Sequence, residues 1–210
     1  MRDATGSLIL LLNNDIDVIH LDWLREMVSH AIRPEIGAVG AKLLYPDGTI
    51  QHGGITVGMG GVAGHPYQGL PHDDCGYFGH LDLVRNVMAV TGACLMVRRQ
   101  ADLEVGGLNE TSSPVAFNDV DLCLKLTESG NRNLWTPDAK FYHYEPASRG
   151  TDRAGQKAIR FKQEFTYMRQ HWASRLDHDP YWNPNLSADI LKKPVFTNPS
   201  AMSMWRIQNC

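Results

Sequence analysis

Ser7-Leu8-Ile9-Leu10-Leu11-Leu12 runs without a polar break into Asn13-Asn14-Asp15, and the reading of this junction decides the fold. A continuous apolar run of strand length suits a strand covered on both faces, as in the parallel part of an α/β sheet. Open α/β sheets bind their ligands at the carboxyl ends of strands. Two amides and a carboxylate delivered there are therefore candidate site residues. Beyond them Trp23, Leu24, Met27, Val28, Ala31 and Ile32 recur at helical spacing, which predicts a helix with an apolar stripe that Pro34 ends.

Working outward, residues 37–44 and 49–57 carry strand signals on either side of Tyr45-Pro46-Asp47-Gly48. Pro presets φ and Gly supplies the left-handed position, so a hairpin is expected. Residues 58–79 are rich in Gly, His, Pro and Asp and read as a long loop of the kind that forms lids. Two short apolar runs follow at 83–90 and 93–97, broken by Thr91-Gly92, and then a short helix over 99–105 closed by Gly106-Gly107. A helix is predicted over 119–129, capped by Asn118 or Asp119 and stopped by Gly130. Strands are expected at 133–136 and 140–144. A last helix over 156–172 carries the stripe Ile159, Phe161, Phe165, Met168 and Trp172, and the Pro-containing tail beyond Asp179-Pro180 reads as irregular.

The chain's 210 residues, 43% hydrophobic and 20% charged with a net charge of −3, fit one ordinary globular domain. The basic excess of a phosphate-backbone binder is missing, which argues against nucleic acid as a partner. No apolar run approaches the ~20 residues that span a bilayer, and the start lacks the apolar stretch of a signal peptide. Cys75, Cys94, Cys123 and Cys210 form no C-x-x-C pair, so reduced thiols in a cytoplasmic protein are expected, with Cys94 and Cys123 as small buried hydrophobes.

Three clusters carry chemistry: Asn13-Asn14-Asp15-Ile16-Asp17 after a strand, Asn118-Asp119-Val120-Asp121 opening a helix, and His143 near a strand's end. Together with further blocks they resemble the family 2 glycosyltransferases of GT-A fold, in the bacterial O-antigen and rhamnosyl-type branch. Those blocks are Val39-Gly40-Ala41-Lys42-Leu43, Pro46-Asp47-Gly48, Gln51-His52-Gly53-Gly54, Val90-Thr91-Gly92-Ala93-Cys94 and Gly106-Gly107-Leu108-Asn109-Glu110. Further on come Phe117-Asn118-Asp119-Val120-Asp121-Leu122-Cys123, His143-Tyr144-Glu145-Pro146-Ala147-Ser148-Arg149-Gly150 and Asn183-Pro184-Asn185.

The resemblance implies a partial GT-A fold, a mixed central sheet flanked by helices. Residues 1–150 would form the metal and acceptor part, and 151–210 a C-terminal helix and extended tail packed on the same domain. The family's N-terminal nucleotide-binding βαβ part is not recognised ahead of Leu8. Asn13-Asn14-Asp15 takes the place of the family's metal-binding motif, with Asp15 as ligand to Mn²⁺ or Mg²⁺, His143 as a second ligand, and Asn13 and Asn14 toward the donor. Asn13 stands where many relatives carry Asp, which suggests a hydrogen bond to ribose or to metal-bound water. Asp15-Ile16-Asp17 also reads as Asp-x-Asp, but alternation and family register favour the earlier triplet.

Asp119 falls at the family's catalytic base, a fitting task for a carboxylate at a helix start. Thr91, Gly92, Ala93 and Asn118 fall on the acceptor side. Asp121 reads either as an acceptor or loop-holding group or as a surface acid of the first turn. Ser148 and Arg149 fall where the family closes on the donor diphosphate; Arg149 reads equally as a structural ion pair. His52, His65, His72 and His80 read as solvated or turn histidines.

The activity implied is inverting transfer of a sugar from a nucleoside-diphosphate sugar to a glycan or lipid-linked glycan, in bacterial cell-surface polysaccharide synthesis. It is placed in the cytoplasm at the inner face of the membrane, with peripheral membrane association and homo-oligomers as further expectations. A Gln-x-x-Arg-Trp motif of processive synthases is not found, which favours single addition. The rivals are a non-catalytic glycan- or protein-binding module and a metal-dependent nucleotidyl or phosphodiester enzyme.

Overall fold

The computed structural model describes residues 3–144 and 155–187 together with Phe196. In chain order the strands are β1 (Leu8–Leu12), β2 (Ile16–Val18), β3 (Ile36–Leu44), β4 (Ile50–His52), β5 (Thr56–Val57), β6 (Ala63–Gly64), β7 (Arg85–Val87), β8 (Cys94–Arg98) and β9 (Arg132–His143). The helices are α1 (Trp23–Ala31), α2 (Arg99–Glu104), α3 (Asn118–Glu128), α4 (Gly155–His171) and α5 (Ala173–Leu176). The expected α/β architecture is present. Among the described residues one mixed sheet runs in the order β1-β8-β3-β9-β2, with β4 added to β3 and β7 to β9. Among the described strands only β3 and β9 pair in parallel.

Every residue of β3 is buried, and its Val39, Ala41 and Leu43 face the layer of α1 while Ala38 and Leu44 face the layer of α3, Trp135 and Trp172. The fully covered strand is thus β3. β1 lies at the end of the strand order, pairs antiparallel with β8, and buries only Ile9, because cover reaches it from one neighbour alone. The parallel, doubly covered reading of 8–12 is corrected accordingly.

The hairpin at 45–48 forms: Gly48 has φ +82°, and its N–H donates to the Tyr45 carbonyl at 2.9 Å. The second arm is shorter than predicted. β4 ends at His52, and Gly53-Gly54 turns the chain into β5, which pairs with β6 instead of continuing the sheet. Arg85 holds that break by donating to the Gly53 carbonyl while lying over the Trp135 ring. The loop over 58–79 is packed rather than loose. Met59, Val62 and Tyr67 are buried, and Lys42 reaches from β3 to donate to the His72 carbonyl at 2.8 Å. Burial lowers the Lys42 pKa, with Lys140 acting the same way.

The two strands expected at 133–136 and 140–144 are one, β9, whose register against β3 shifts between Gly40 and Lys42. Pro137, with no N–H to give the ladder, lies in that stretch. Buried Asn133 ties β9 to its neighbours: its Oδ1 accepts from the Ala38 N–H and its Nδ2 donates to the Met88 and Cys123 carbonyls. Cys94 and Cys123 are buried as expected, and burial pushes both thiols up to about 12.

Two helical stripes are narrower than their spacing suggests. In α1, Met27 and Ala31 are buried but Leu24, and Ile32 just past its end, are exposed; in α4, Met168 is buried and Ile159 exposed, while Glu164 is buried and accepts from the Ala116 N–H. No helix among the described residues is long and apolar enough to cross a membrane.

Candidate active site

The register of two edges assembles the first half of the site. Past β1 the ladder continues for one bond, Asn13 N–H to the Ala93 carbonyl at 2.9 Å, so the 13–15 turn lies beside Thr91-Gly92-Ala93. β2 then pairs with β9 so that Ile16 faces His143, and the Tyr144 N–H donates to the Asp15 carbonyl at 2.8 Å. This brings the side chains of Asn13, Asp15 and His143 together from sequence positions far apart. Asp17, in β2, accepts instead from the Tyr144 hydroxyl, whose pKa that bond raises. Asn14 is exposed beside the turn.

His143 is buried. Its Nδ1 lies 2.6 Å from Gln51 Oε1, an atom that can only accept, so Nδ1 carries a proton and Nε2 is the ring nitrogen turned toward the 13–15 turn. That Nε2 is 3.1 Å from Asn13 Nδ2 and 3.2 Å from Asp15 Oδ1. The Asp15 oxygen is buried and accepts no other hydrogen bond from a described residue. Nitrogen and carboxylate oxygen suit Mn²⁺ or Mg²⁺, ions that keep several positions for substrate oxygens and water. Among the described residues no group of three His, Cys, Asp or Glu side chains could hold such an ion.

The second half comes from α3. Phe117, at φ +62° in the left-handed region, turns the chain into the helix, and no side chain caps its start, contrary to the expected Asn118 or Asp119 cap. Asp119 instead spans the gap to the sheet. Its Oδ2 accepts from the Gly92 N–H at 2.9 Å and its Oδ1 from the Val120 N–H at 2.8 Å. A Cβ on Gly92 would stand 3.5 Å from that of Asp119, an ordinary van der Waals contact, so the approach to α3 does not by itself require glycine. Asn118 is partly exposed on the same turn, its Nδ2 directed to the Pro114 carbonyl at 3.4 Å.

Asp121 does not belong with them. It is fully buried, accepts from Trp172 Nε1 at 2.9 Å and pairs with Lys125 Nζ at 2.6 Å. Of its two readings neither the acceptor contact nor the surface acid survives, because burial removes it from any substrate; it ties α3 to the C-terminal helices. Ser148 and Arg149 lie outside the described residues.

Three side chains that carried no assigned role complete the wall. Gln51 orients His143. His52 and His65 form a pair, Nδ1 to Nδ1 at 2.9 Å, and the Thr91 N–H makes a long contact of 3.5 Å to His52 Nε2. His52 is fully buried, not solvated, and burial, with His65 and Arg85 acting the same way, holds its pKa well below the ordinary imidazole value. The Gln51-His52-Gly53-Gly54 block was the available signal, since it recurs among the resembling segments without an assigned task. A cavity of about 100 Å³ opens between these groups and His143.

No protein-family model matches the chain. It is 50% identical over 189 residues to the uncharacterised protein y4gI of Sinorhizobium fredii, covering 90% of this chain and 21% of that protein. It is 42% identical over 195 residues to the O-antigen biosynthesis protein RfbC of Myxococcus xanthus, 89% of this chain and 14% of that one. Against an N-acetylglucosaminyl-diphospho-decaprenol L-rhamnosyltransferase of Mycobacterium tuberculosis the identity is 29% over 160 residues, 73% of this chain and 50% of the relative. By sequence, the chain is similar to proteins named for O-antigen biosynthesis and rhamnosyl transfer. The domain spans half or less of each of these relatives. A structural match to the mannosyltransferase PcManGT from Pyrobaculum calidifontis, solved with GDP-Man and Mn²⁺, has a TM-score of 0.49 at 19% identity, over 84% of this chain and 41% of that one.

Proposed function

We propose that this domain transfers a sugar from a nucleoside-diphosphate sugar to an acceptor hydroxyl with inversion, in the assembly of a bacterial surface polysaccharide. The observation that carries the reading is the Asp15 Oδ1 and His143 Nε2 pair, 3.2 Å apart with His143 Nδ1 committed to Gln51. Asp15 and His143 would hold the divalent cation, which would supply charge neutralisation for the departing nucleoside diphosphate. Asp119 takes the proton of the acceptor hydroxyl as that oxygen bonds to the anomeric carbon and the bond to the diphosphate oxygen breaks, its electron pair leaving with the diphosphate. Each Asp119 oxygen spends one lone-pair site on a backbone N–H, which fixes the carboxylate and leaves the other site for the hydroxyl. With Asp119 acting as base and not as nucleophile, transfer is one displacement, hence inversion.

Thr91, Gly92, Ala93 and Asn118 are proposed on the acceptor side, Asn13 and Asn14 on the donor side, and Ser148 and Arg149 at the diphosphate. The relatives named for O-antigen biosynthesis and rhamnosyl transfer support a glycan or lipid-linked glycan acceptor, and with it a place at the cytoplasmic face of the membrane. Peripheral membrane association and self-association extend the same proposal.

The deciding experiment is thermal unfolding of the chain with and without Mn²⁺. Millimolar Mn²⁺ should raise Tm through binding to the native state, and Asp15→Asn and His143→Ala should each abolish the rise. An equal rise in both variants would remove the metal assignment. Release of nucleoside diphosphate from a donor sugar, rather than pyrophosphate, separates transfer from nucleotidyl chemistry.

A further inference from the structure

We infer that the cavity beside His143 is a subsite for the hydroxyl edge of a pyranose ring; the inference rests on the sugar-transfer reading above. The cavity, about 100 Å³, is lined by Tyr45, Gln51, His52, His65, Gln68 and Thr91, with His143 at one end. This lining is an amide pair, imidazoles, a phenol and a hydroxyl. It recognises neutral hydroxyls, not charge, and no Lys or Arg is present to call for phosphate. An apolar ligand is equally ill matched to it.

The lining also holds an unmet donor. Gln51 is 7% exposed, its Oε1 is committed to His143 Nδ1, and its Nε2 has no hydrogen-bond partner among the described residues. A buried amide donor left unpaired costs on the order of 1–3 kcal/mol, so the site is complete only when an acceptor oxygen enters. His52 Nε2 is turned to the Thr91 N–H, which places the His52 proton on Nδ1 toward His65. On the open side the exposed Gln68 amide donates to the Tyr45 hydroxyl and forms the rim.

The volume corresponds to roughly three waters at ~30 Å³ each, which is the room needed by neighbouring hydroxyls on one ring edge and not by a whole oligosaccharide. Its position bears on selectivity. One wall, His143, belongs to the proposed cation site, and another, Thr91, adjoins Gly92, which holds Asp119. A ring seated in the cavity lies between the leaving-group and acceptor ends of the reaction.

The test is saturation-transfer NMR on the whole chain with methyl α-L-rhamnoside, methyl α-D-mannoside and methyl β-D-glucoside as probes. The expected result is transfer to at least one glycoside, abolished in Gln51→Leu and weakened roughly tenfold, the worth of one hydrogen bond, in the rim variant Gln68→Leu. Gln68 is exposed, so that variant keeps the test valid even where Gln51→Leu fails to fold. No transfer to any probe, or equal transfer in wild type and Gln68→Leu, overturns the subsite and leaves the cavity to water. Displacement by a nucleoside-diphosphate sugar assigns the ring to the donor, and simultaneous binding assigns it to the acceptor; both support the subsite. The Mn²⁺-dependent Tm rise is read in parallel. Its presence without glycoside binding sinks the subsite alone, and glycoside binding without it sinks the metal reading.

Discussion

Asp119 and Asp121 stand two residues apart in one helical turn and have opposite duties. Asp119 reaches across to Gly92 and keeps lone-pair sites at the partly exposed end of α3; Asp121 faces Trp172 and Lys125 in the interior. In a preparation that turns over donor and acceptor, Asp119→Asn should cut turnover by ~10²–10⁴-fold, the usual worth of a general base, with donor affinity little changed in equilibrium titration. Turnover like the wild type would end its assignment. Asp121→Ala should act on stability instead. Losing a buried carboxylate with an ammonium and an indole N–H on it costs about 3 kcal/mol, read as a lower urea midpoint, and a midpoint unchanged from wild type would contradict its role as an interior tie. The sequence marked both acids as notable, but periodicity does not tell which side of a helix a distant Trp172 will cover.

At the scale of elements, β3 is the member on which the others are built. Its parallel partner β9 and antiparallel partners β8 and β4 leave no residue of it exposed. Gly40 shows how close that packing is. A Cβ there would meet Val90 Cβ at 2.4 Å and Cγ1 at 2.5 Å. Because strands on both sides pin β3, Gly40→Ala should destabilise the domain by about 1–3 kcal/mol through overpacking; calorimetry showing the wild-type Tm would refute it. The hairpin at 45–48 and the helices α2 and α3 were legible because turn chemistry and capping glycines are local. The break after His52 and the union of 132–143 into one strand were not, since both depend on partners elsewhere, Arg85 for the first and β3 for the second.

For the molecule as a whole, the buried His52 and the half-buried His80 set the response to acid. His80 is lowered to about 4, chiefly by burial with Arg85 adding to it, and His52 is held well below 6.5. In the unfolded chain these groups take up protons near 6.5 while in the folded chain they remain neutral, so the unfolded state binds more protons across that window. Stability is therefore full above pH 6.5 and falls as pH drops from 6.5 toward 4. Asp102 and Asp179, raised by burial, act in the opposite sense, starting from 3.8 at the low end. Tm measured from pH 7.5 to 5 should decline, and His80→Asn should flatten the decline; a Tm independent of pH would refute the argument.

Sequence by itself determined the α/β class, the hairpin, the helices around 99–105 and 119–129, and the residues Asn13, Asp15, Asp119 and His143 as the places to look. These follow from local chemistry and from blocks of residues in a set order. Tertiary structure alone decided that β3 and not β1 is the covered strand, that Asp121 is interior, that His52 is buried, and that Gln51 fixes the His143 proton. Each of those facts is a contact between residues distant in the chain. The carboxylate end of a strand announces a site, but only the pairing of β2 with β9 brings His143 to Asp15.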